Sequence, residues 1–594
     1  MNQNAAKPQA HSGMNPFARS ESPHGLSRWI PAIPALRTYR RAWLSKDIVA
    51  GLVITAVLVP VGMGYAEAAG LPAIYGLYAT IFPLIAYAIF GPSRILVLGP
   101  DSSLAAIIAA TIIPLAAGDP ERLVALAGML ALLTGAFAIL AGLAHFGFIT
   151  DLLSIPIRLG YLNGIALTVL VGQLPKLLGF SSSGDGLIQE VASLLQGIAQ
   201  GLTNPTTLAI GVVCLAVILV FKRFWPRIPG VLIAVIGATL VVGVLDLATT
   251  AGVSVVGPLP QGLPSFEIPM VSLSDMGALL TGALVIVLVS FADTSVLSRT
   301  FALRGGYKVD QNQEIIALGA ANVAAGLFQG FSISSSSSRT PVAESAGAKT
   351  QLTGVVGALC VAALLIFAPN LLQNLPNAAL GAVVISACLS LVDIQGVVRL
   401  YRVRRTEFWF SIVCFLGVAL IGVIQGIGIA VVLALLDFIW RSWRPDAAVL
   451  GRADGIAGYV DMSRHPEAQP IPGLLIYRWT APLFFANADF FYEHVLDAVS
   501  KAPTPTRWIV VSAEPVSDID TTAAEALSKL DDDLERVGIE LCFAEMKGPA
   551  KDSLKRYGLF SKLGDHLFFR TIDEAVEAYQ KATAAEQPPR SAEV

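Results

Sequence analysis

The chain has 594 residues, 54% of them hydrophobic and only 14% charged, with a formal net charge of -3 and a mean hydropathy of +0.67. Those values exclude an ordinary water-soluble protein and describe a polytopic membrane protein. No basic domain exists for nucleic acid to bind. The five cysteines (Cys214, Cys360, Cys388, Cys414, Cys542) have neither metal nor redox spacing, and the histidines are scattered too widely for a metal site. Neither a cofactor nor a metal is expected, and no nucleophile or nucleotide motif suggests an enzyme.

Residues 1–27 are polar, lack the apolar core of a signal peptide, and read as a disordered cytoplasmic tail. Trp29 to Lys46 is basic and amphipathic, with Arg37, Arg40, Arg41 and Lys46 among Trp29, Leu36, Tyr39 and Trp43. Such a segment suits the lipid headgroup boundary. Apolar runs then predict membrane spans near Ile48–Gly64, Ile74–Phe90, Ser102–Ala117, Leu123–Ala144, Ile157–Leu174, Thr207–Phe221 and Val231–Leu247. A second set follows near Met276–Leu297, Ile315–Gly330, Ser336–Gly347, Leu352–Ala368, Ala378–Val392, Phe408–Val423 and Ile427–Trp443. The reading is two repeats, 47–247 and 275–444, in a membrane domain spanning 47–444. An odd number of spans per half makes the repeats inverted.

Charge asymmetry orients the chain. Even-numbered connections carry Arg94; Arg158; Lys222, Arg223 and Arg227; Arg299, Arg304 and Lys308; Lys349; Arg399, Arg402, Arg404 and Arg405; then Arg441 and Arg444. Odd connections hold only Arg122 and Lys176. The positive-inside rule then puts both termini in the cytoplasm. After Trp443, residues 445–471 read as a linker. Residues 472–585 alternate apolar runs with helical segments, which describes a small α/β domain. Residues 586–594 read as a disordered tail.

The third and tenth spans are short and follow breakers, Gly99-Pro100 and the serine run of Phe331 to Thr350, FSISSSSSRTPVAESAGAKT. Interrupted segments in matching positions of two halves point to a transport site. The serine run predicts an extended approach over Phe331 to Ser334 and a short helix opening near Ser336. Backbone N–H groups at such a helix start, its dipole, and Arg339 one turn in would together hold an anion.

Several longer stretches resemble the sulfate-permease (SulP) family and its animal solute-carrier relatives. They are VPVGMGYAEAAGLPAIYGLYA (Val59–Ala79), GPSRILVLGPDSS (Gly91–Ser103), SSSSSRTPVAESAGAKTQL (Ser334–Leu352), PGLLIYRWTAPLFFANADFF (Pro472–Phe491) and VSDIDTTAAEAL (Val516–Leu527). The last two resemble STAS-domain signatures. The resemblance covers nearly the whole chain after residue 40. It implies a seven-plus-seven inverted repeat, with a mobile core domain holding the substrate and a gate domain that forms a homodimer, followed by a cytoplasmic STAS domain. It also implies transport of anions such as sulfate, bicarbonate, chloride or dicarboxylates.

The positions matching the family's site are Val61 and Tyr65 in span one, Asp101 with Ser102 at span three, and Ser336, Ser337, Ser338 and Arg339 at span ten. Many members have glutamine where Val61 stands, and glycine where Ser335 stands. Asp293 interrupts the apolar run ALVIVLVSFADTSVL; a carboxylate inside a span is expensive and therefore a functional candidate. It matches an acidic position of the family, and its alternative is a structural ion pair with Arg299 or Arg339. Asp101 is either a second proton-binding carboxylate or an N-cap for span three. Glu67 and Glu344 are weaker candidates, Glu344 as a cap or a partner for Lys349. Thr521 matches a position phosphorylated in related STAS domains, and a plain helix cap at Asp520 explains the same residues.

The resulting expectation is an integral protein of a bacterial inner membrane. It is read as a secondary active transporter coupling sulfate or another small oxyanion or carboxylate to protons by alternating access. Sodium-coupled bicarbonate transport and uncoupled exchange or channel activity are the alternatives. Leu297 stands where sodium-using members have a hydroxyl, which favours the proton, with Thr294 and Ser295 left as possible sodium ligands.

Overall fold

The structure, a computed structural model, describes residues 29–147, 154–180, 187–225 and 229–586. The expected tails over 1–27 and 587–594 lie outside the described residues, as does Arg227. The chain divides into two compact units, 1–434 and 435–594.

The first unit is helical because backbone polar groups in lipid must be satisfied within the segment. The first half comprises α1 (Arg41–Ala68), α2 (Ile74–Phe90), β1 (Leu98–Gly99), α3 (Ser102–Ala116), α4 (Pro120–Leu143), α5 (Ile155–Leu178), α6 (Leu187–Ala199), α7 (Pro205–Phe224) and α8 (Gly230–Val244). The second comprises α9 (Met276–Gly305), α10 (Gln311–Leu327), β2 (Ser334–Ser335), α11 (Arg339–Ser345), α12 (Leu352–Phe367), α13 (Asn377–Leu391), α14 (Ile394–Val403), α15 (Arg405–Leu416) and α16 (Val423–Trp443). The halves repeat one pattern. A helix of 28 or 30 residues is followed by one of 17, then by a two-residue strand and a shortened helix. This is the seven-plus-seven inverted repeat. Seven described helices are long and apolar enough to cross a membrane, and α2, α3, α8 and α12 are shorter apolar ones.

Two helix bundles form the unit. In one, α10 packs along α4 and α2, α12 along α1 and α2, and α9 along α4 and α3. In the other, α5 packs on α13 and α15, and α7 on α13 and α8. Small residues let the α4–α10 pair approach closely. A Cβ on Gly326 would stand 2.6 Å from the Gly128 carbonyl oxygen, and one on Gly319 2.7 Å from that of Gly135. Such contact replaces the hydrophobic drive that lipid cannot supply.

Some boundaries differ from expectation. Residues 41–46 are the first turns of α1 rather than part of a separate interfacial segment; Ala32–Arg37 forms a short helix before them. Asp47 is consequently not a span boundary but a fully buried residue inside α1. The amphipathic helices α6 and α14 were not anticipated; their single apolar faces are too narrow to read as spans.

The second unit holds β3 (Ala447–Gly451), β4 (Val460–Asp461), β5 (Leu474–Trp479), α17 (Ala488–Ser500), β6 (Trp508–Ser512), α18 (Thr521–Glu535), β7 (Glu540–Ala544), α19 (Gly548–Arg556), β8 (Phe568–Phe569) and α20 (Ile572–Glu586). One six-stranded sheet runs β4-β3-β5-β6-β7-β8. Strands β5 to β8 are parallel, and β3 pairs antiparallel with β4 and β5. Side chains alternate across the sheet. Tyr477, Ile509 and Phe543 pack into one core with Phe491 and Leu527, while Ile476, Val510 and Cys542 pack on Val576 and Tyr579. The segment 445–471 is therefore not a free linker. Its polar, glycine-containing composition hid two strands, β3 bonded to β5 and β4 to β3, and that backbone pairing stands in for a hydrophobic signature.

Candidate functional site

The serine run is held by backbone pairing, not by a helix. Strand β2 lies antiparallel to β1, with Leu98 opposite Ser335 and Gly99 opposite Ser334. Asn322 clamps the extended approach. Its side chain accepts from the Ile333 amide at 2.9 Å and donates to the Ile333 carbonyl at 3.1 Å. Most buried serines are spent on this scaffold. The Ser334 hydroxyl donates to the Ser290 carbonyl at 3.3 Å, and that of Thr294 donates to the Ser335 hydroxyl at 3.0 Å.

Helix α11 opens at Arg339, not near Ser336, because the Ser336 amide donates to the Val97 carbonyl at 2.9 Å in continuation of the ladder. With seven residues, α11 is about two turns long. The positive charge here is that of the Arg339 side chain, not a helix dipole. Ser336 is buried, and its hydroxyl accepts from the Arg339 amide at 3.2 Å. Ser337 and Ser338 are exposed, and Ser338 occupies the N-cap position without a side-chain capping bond.

Arg339 is 0% exposed. One Nη2–H donates to the Pro100 carbonyl at 2.5 Å. Its Nε and Nη1 have no hydrogen-bond partner among the described residues. Gly99, with φ of 149°, brings the chain beneath this guanidinium; a Cβ there would be 3.5 Å from Nη1. A buried cation with free donors is costly unless an acceptor completes it. Asp101 and Tyr65 lie within electrostatic reach of Arg339, and Ser102 lies beside the Tyr65 hydroxyl. The Asp101 side chain caps α3, accepting from the Ser103 amide at 3.1 Å and its hydroxyl at 2.9 Å. Val61 and Tyr65 are buried on α1, and Ser102 on α3. Helices α1, α3 and α11 thus bring Tyr65, Asp101 and Arg339 together.

Asp293 pairs with neither Arg299 nor Arg339. Its partner is Arg158 on α5, with Nη2 at 3.1 Å from Oδ1. The contact is at ion-pair distance without hydrogen-bond alignment, so Oδ1 has no hydrogen-bond partner. Arg158 was read as a loop charge; it lies within a helix and crosses from one bundle to the other. Sequence could not reveal it, because an arginine at a span's edge is the usual positive-inside signal. The far end of α5 repeats the arrangement. Lys176 contacts Glu67 of α1 at 2.9 Å, beside a cavity of about 500 Å³ that both residues line. The two cations of α5 stand about five turns apart, roughly 27 Å along the axis.

Two further residues were missed. Tyr161, one turn from Arg158, is fully buried with an unpartnered hydroxyl. Asp47 accepts from the Lys349 and Thr350 amides at 2.7 and 3.0 Å and from the Thr350 hydroxyl at 2.8 Å, fixing the turn before α12. Glu344 pairs with Arg304 at 3.1 Å rather than with Lys349. In the sheet domain, Thr521 is the exposed first residue of α18, capped by Asp520, which accepts from the Ala523 amide at 2.9 Å.

The Sulfate permease family matches residues 44–414, and the STAS domain matches 465–575. The chain belongs to the sulfate permease family. A probable sulfate transporter of Mycobacterium tuberculosis is 40% identical over 553 residues, covering 93% of this chain and 98% of that protein. The chloroplastic sulfate transporter 4.1 of Arabidopsis thaliana is 30% identical, with 93% and 83% covered. The inward-facing murine Solute Carrier 26 family member A9 anion transporter superposes with a TM-score of 0.87 at 24% identity, over 97% of this chain and 96% of that one. The transmembrane domain of the cyanobacterial bicarbonate transporter BicA superposes with a TM-score of 0.58 at 20% identity, over 67% and 98%. This sulfate permease family member is an integral membrane anion transporter, not an enzyme, and its C-terminal sheet unit is a STAS domain.

Proposed function

We propose that this permease is a secondary active carrier that moves sulfate, or another small oxyanion or carboxylate, together with a proton by alternating access. The observation that carries the reading is the buried Arg339 guanidinium with two unpartnered N–H-bearing nitrogens. A planar fork of donors suits an anion with two or more acceptor oxygens. Sulfate transporters among the relatives support the oxyanion class.

Asp293 is the proposed proton carrier. Its carboxylate faces Arg158 across the bundle boundary. A proton on Asp293 cancels that attraction and removes a negative charge near the anion. Charge entering the site and release of one bundle from the other are then one event. Asp101 serves as the α3 cap in this scheme and secondarily as a proton acceptor. Ser102, Ser336, Ser337 and Ser338 supply hydroxyls at the rim. Both termini face the cytoplasm of a bacterial cell, two copies assemble through the second bundle, and Thr521 is a phosphorylation site.

The test is uptake by the full-length protein in proteoliposomes, against a panel of labelled sulfate, bicarbonate, chloride and dicarboxylates. Sulfate or dicarboxylate accumulation driven by an inward proton gradient is expected. Accumulation driven only by sodium, or by no gradient, overturns the proton-coupled reading.

A further inference from the structure

We infer that the anion site is completed from the opposite bundle, by the Tyr161 hydroxyl of α5 donating a hydrogen bond to the bound oxyanion or carboxylate. Tyr161 is 0% exposed, and its hydroxyl has no hydrogen-bond partner among the described residues. It lies at i+3 from Arg158, so both occupy one face of α5. The charged groups facing it are Asp293, Arg158 and Asp101, with the Cys414 thiol alongside. The inference rests on the carrier reading above and names a residue that reading does not contain.

A buried hydroxyl without a partner destabilises a fold, and phenylalanine would fill the same volume without that cost. Packing therefore gives no reason for the oxygen. The Asp293 Oδ1 atom, in ion-pair contact with Arg158, also has no hydrogen-bond partner among the described residues, so the two do not bond to each other. Arg339 leaves Nε and Nη1 free on α11. Asp101 lies within electrostatic reach of both Tyr161 and Arg339 and is the charged group common to the two. Against the single acceptor, Asp293 Oδ1, stand three donors: two guanidinium nitrogens from one bundle and a phenol from the other. An anion with several separated oxygens satisfies both sides at once, whereas a monatomic halide offers no second oxygen to span them. The contact is made from the other bundle, so it holds only while the bundles are closed on the anion.

The experiment compares full-length wild type, Tyr161→Phe and Arg339→Gln, reconstituted in nanodiscs for melting and in proteoliposomes for uptake. Without anion, Tyr161→Phe is expected to melt at or above the wild-type temperature, since only an unsatisfied group is lost. Its KM for sulfate should rise about tenfold, the usual scale of one hydrogen bond to a charged group. Stabilisation by sulfate should shrink, and stabilisation by chloride should change less. A variant that melts well below wild type without anion overturns the inference, because the hydroxyl then has a structural partner. Unchanged KM and unchanged sulfate stabilisation also overturn it. If Arg339→Gln loses sulfate in the same assay while Tyr161→Phe matches wild type, the inference fails and the carrier reading stands. If no anion of the panel stabilises or enters with the wild type, the carrier reading itself has failed.

Discussion

Arg158 on α5 and Asp293 on α9 meet at 3.1 Å across the boundary between the two bundles. Their side chains are 33% and 14% exposed. The pair's worth lies between the ~1 kcal/mol of a surface pair and the ~3–5 kcal/mol lost when a buried pair is broken. Arg158→Gln should therefore lower the melting temperature more than Asp293→Asn, because it strands a carboxylate in a less polar setting. The double variant should recover part of the loss. In uptake, Asp293→Asn should bind and exchange anion but not concentrate it under a proton gradient. Proton-driven accumulation that survives Asp293→Asn moves the coupling site, with Asp101→Asn the next variant to measure.

Removing the Arg339 guanidinium should weaken sulfate uptake by more than about tenfold, an order of magnitude for every ~1.4 kcal/mol. Arg339→Lys keeps the charge but loses the planar fork, so it should recover only part of the activity. Equal sulfate KM values for wild type and well-folded Arg339→Ala would contradict the assignment.

Glu67 and Lys176 join the bundles at the other end of α5. Under the alternating-access mechanism proposed above, this contact and the Arg158–Asp293 contact open in turn. Glu67→Lys or Lys176→Glu alone should slow uptake severalfold, and the exchanged pair should restore most of it. A cysteine pair at the two positions, cross-linked by an oxidant, should halt uptake reversibly. Uninterrupted uptake by the cross-linked protein would show that the contact does not open during transport.

Asp47 holds the turn before α12 through the Lys349 and Thr350 amides and the Thr350 and Thr353 hydroxyls. Asp47→Ala leaves two part-buried backbone donors without their acceptor, at up to about 1 kcal/mol each. The variant should melt several degrees lower and yield less folded protein, with the sulfate KM of the surviving fraction unchanged. A melting temperature equal to that of wild type would mean other groups satisfy the turn.

Apolar runs carry most of the architecture in the sequence. Ile74–Phe90 is a helix over the predicted bounds, and the breaks before Ser102 and within the serine run mark the two shortened helices. Arg339 was legible as a cation one turn past a serine-rich break between two apolar spans. The partners were not legible. Arg158 and Asp293 are distant in the chain, and nothing local distinguishes an ion-paired arginine from a loop arginine. Tyr161 sits in an apolar run that would accommodate phenylalanine equally well. Strands β3 and β4 escaped notice because an edge pairing needs backbone groups rather than apolar side chains.

The ladder between β1 and β2 joins a segment from each repeat through Leu98 with Ser335 and Gly99 with Ser334. The floor under the guanidinium is thus a single woven piece, although its threads come from opposite halves of the gene. A chimera that exchanges 96–103 together with 331–340 is therefore expected to keep more sulfate uptake in proteoliposomes than one that exchanges either segment alone.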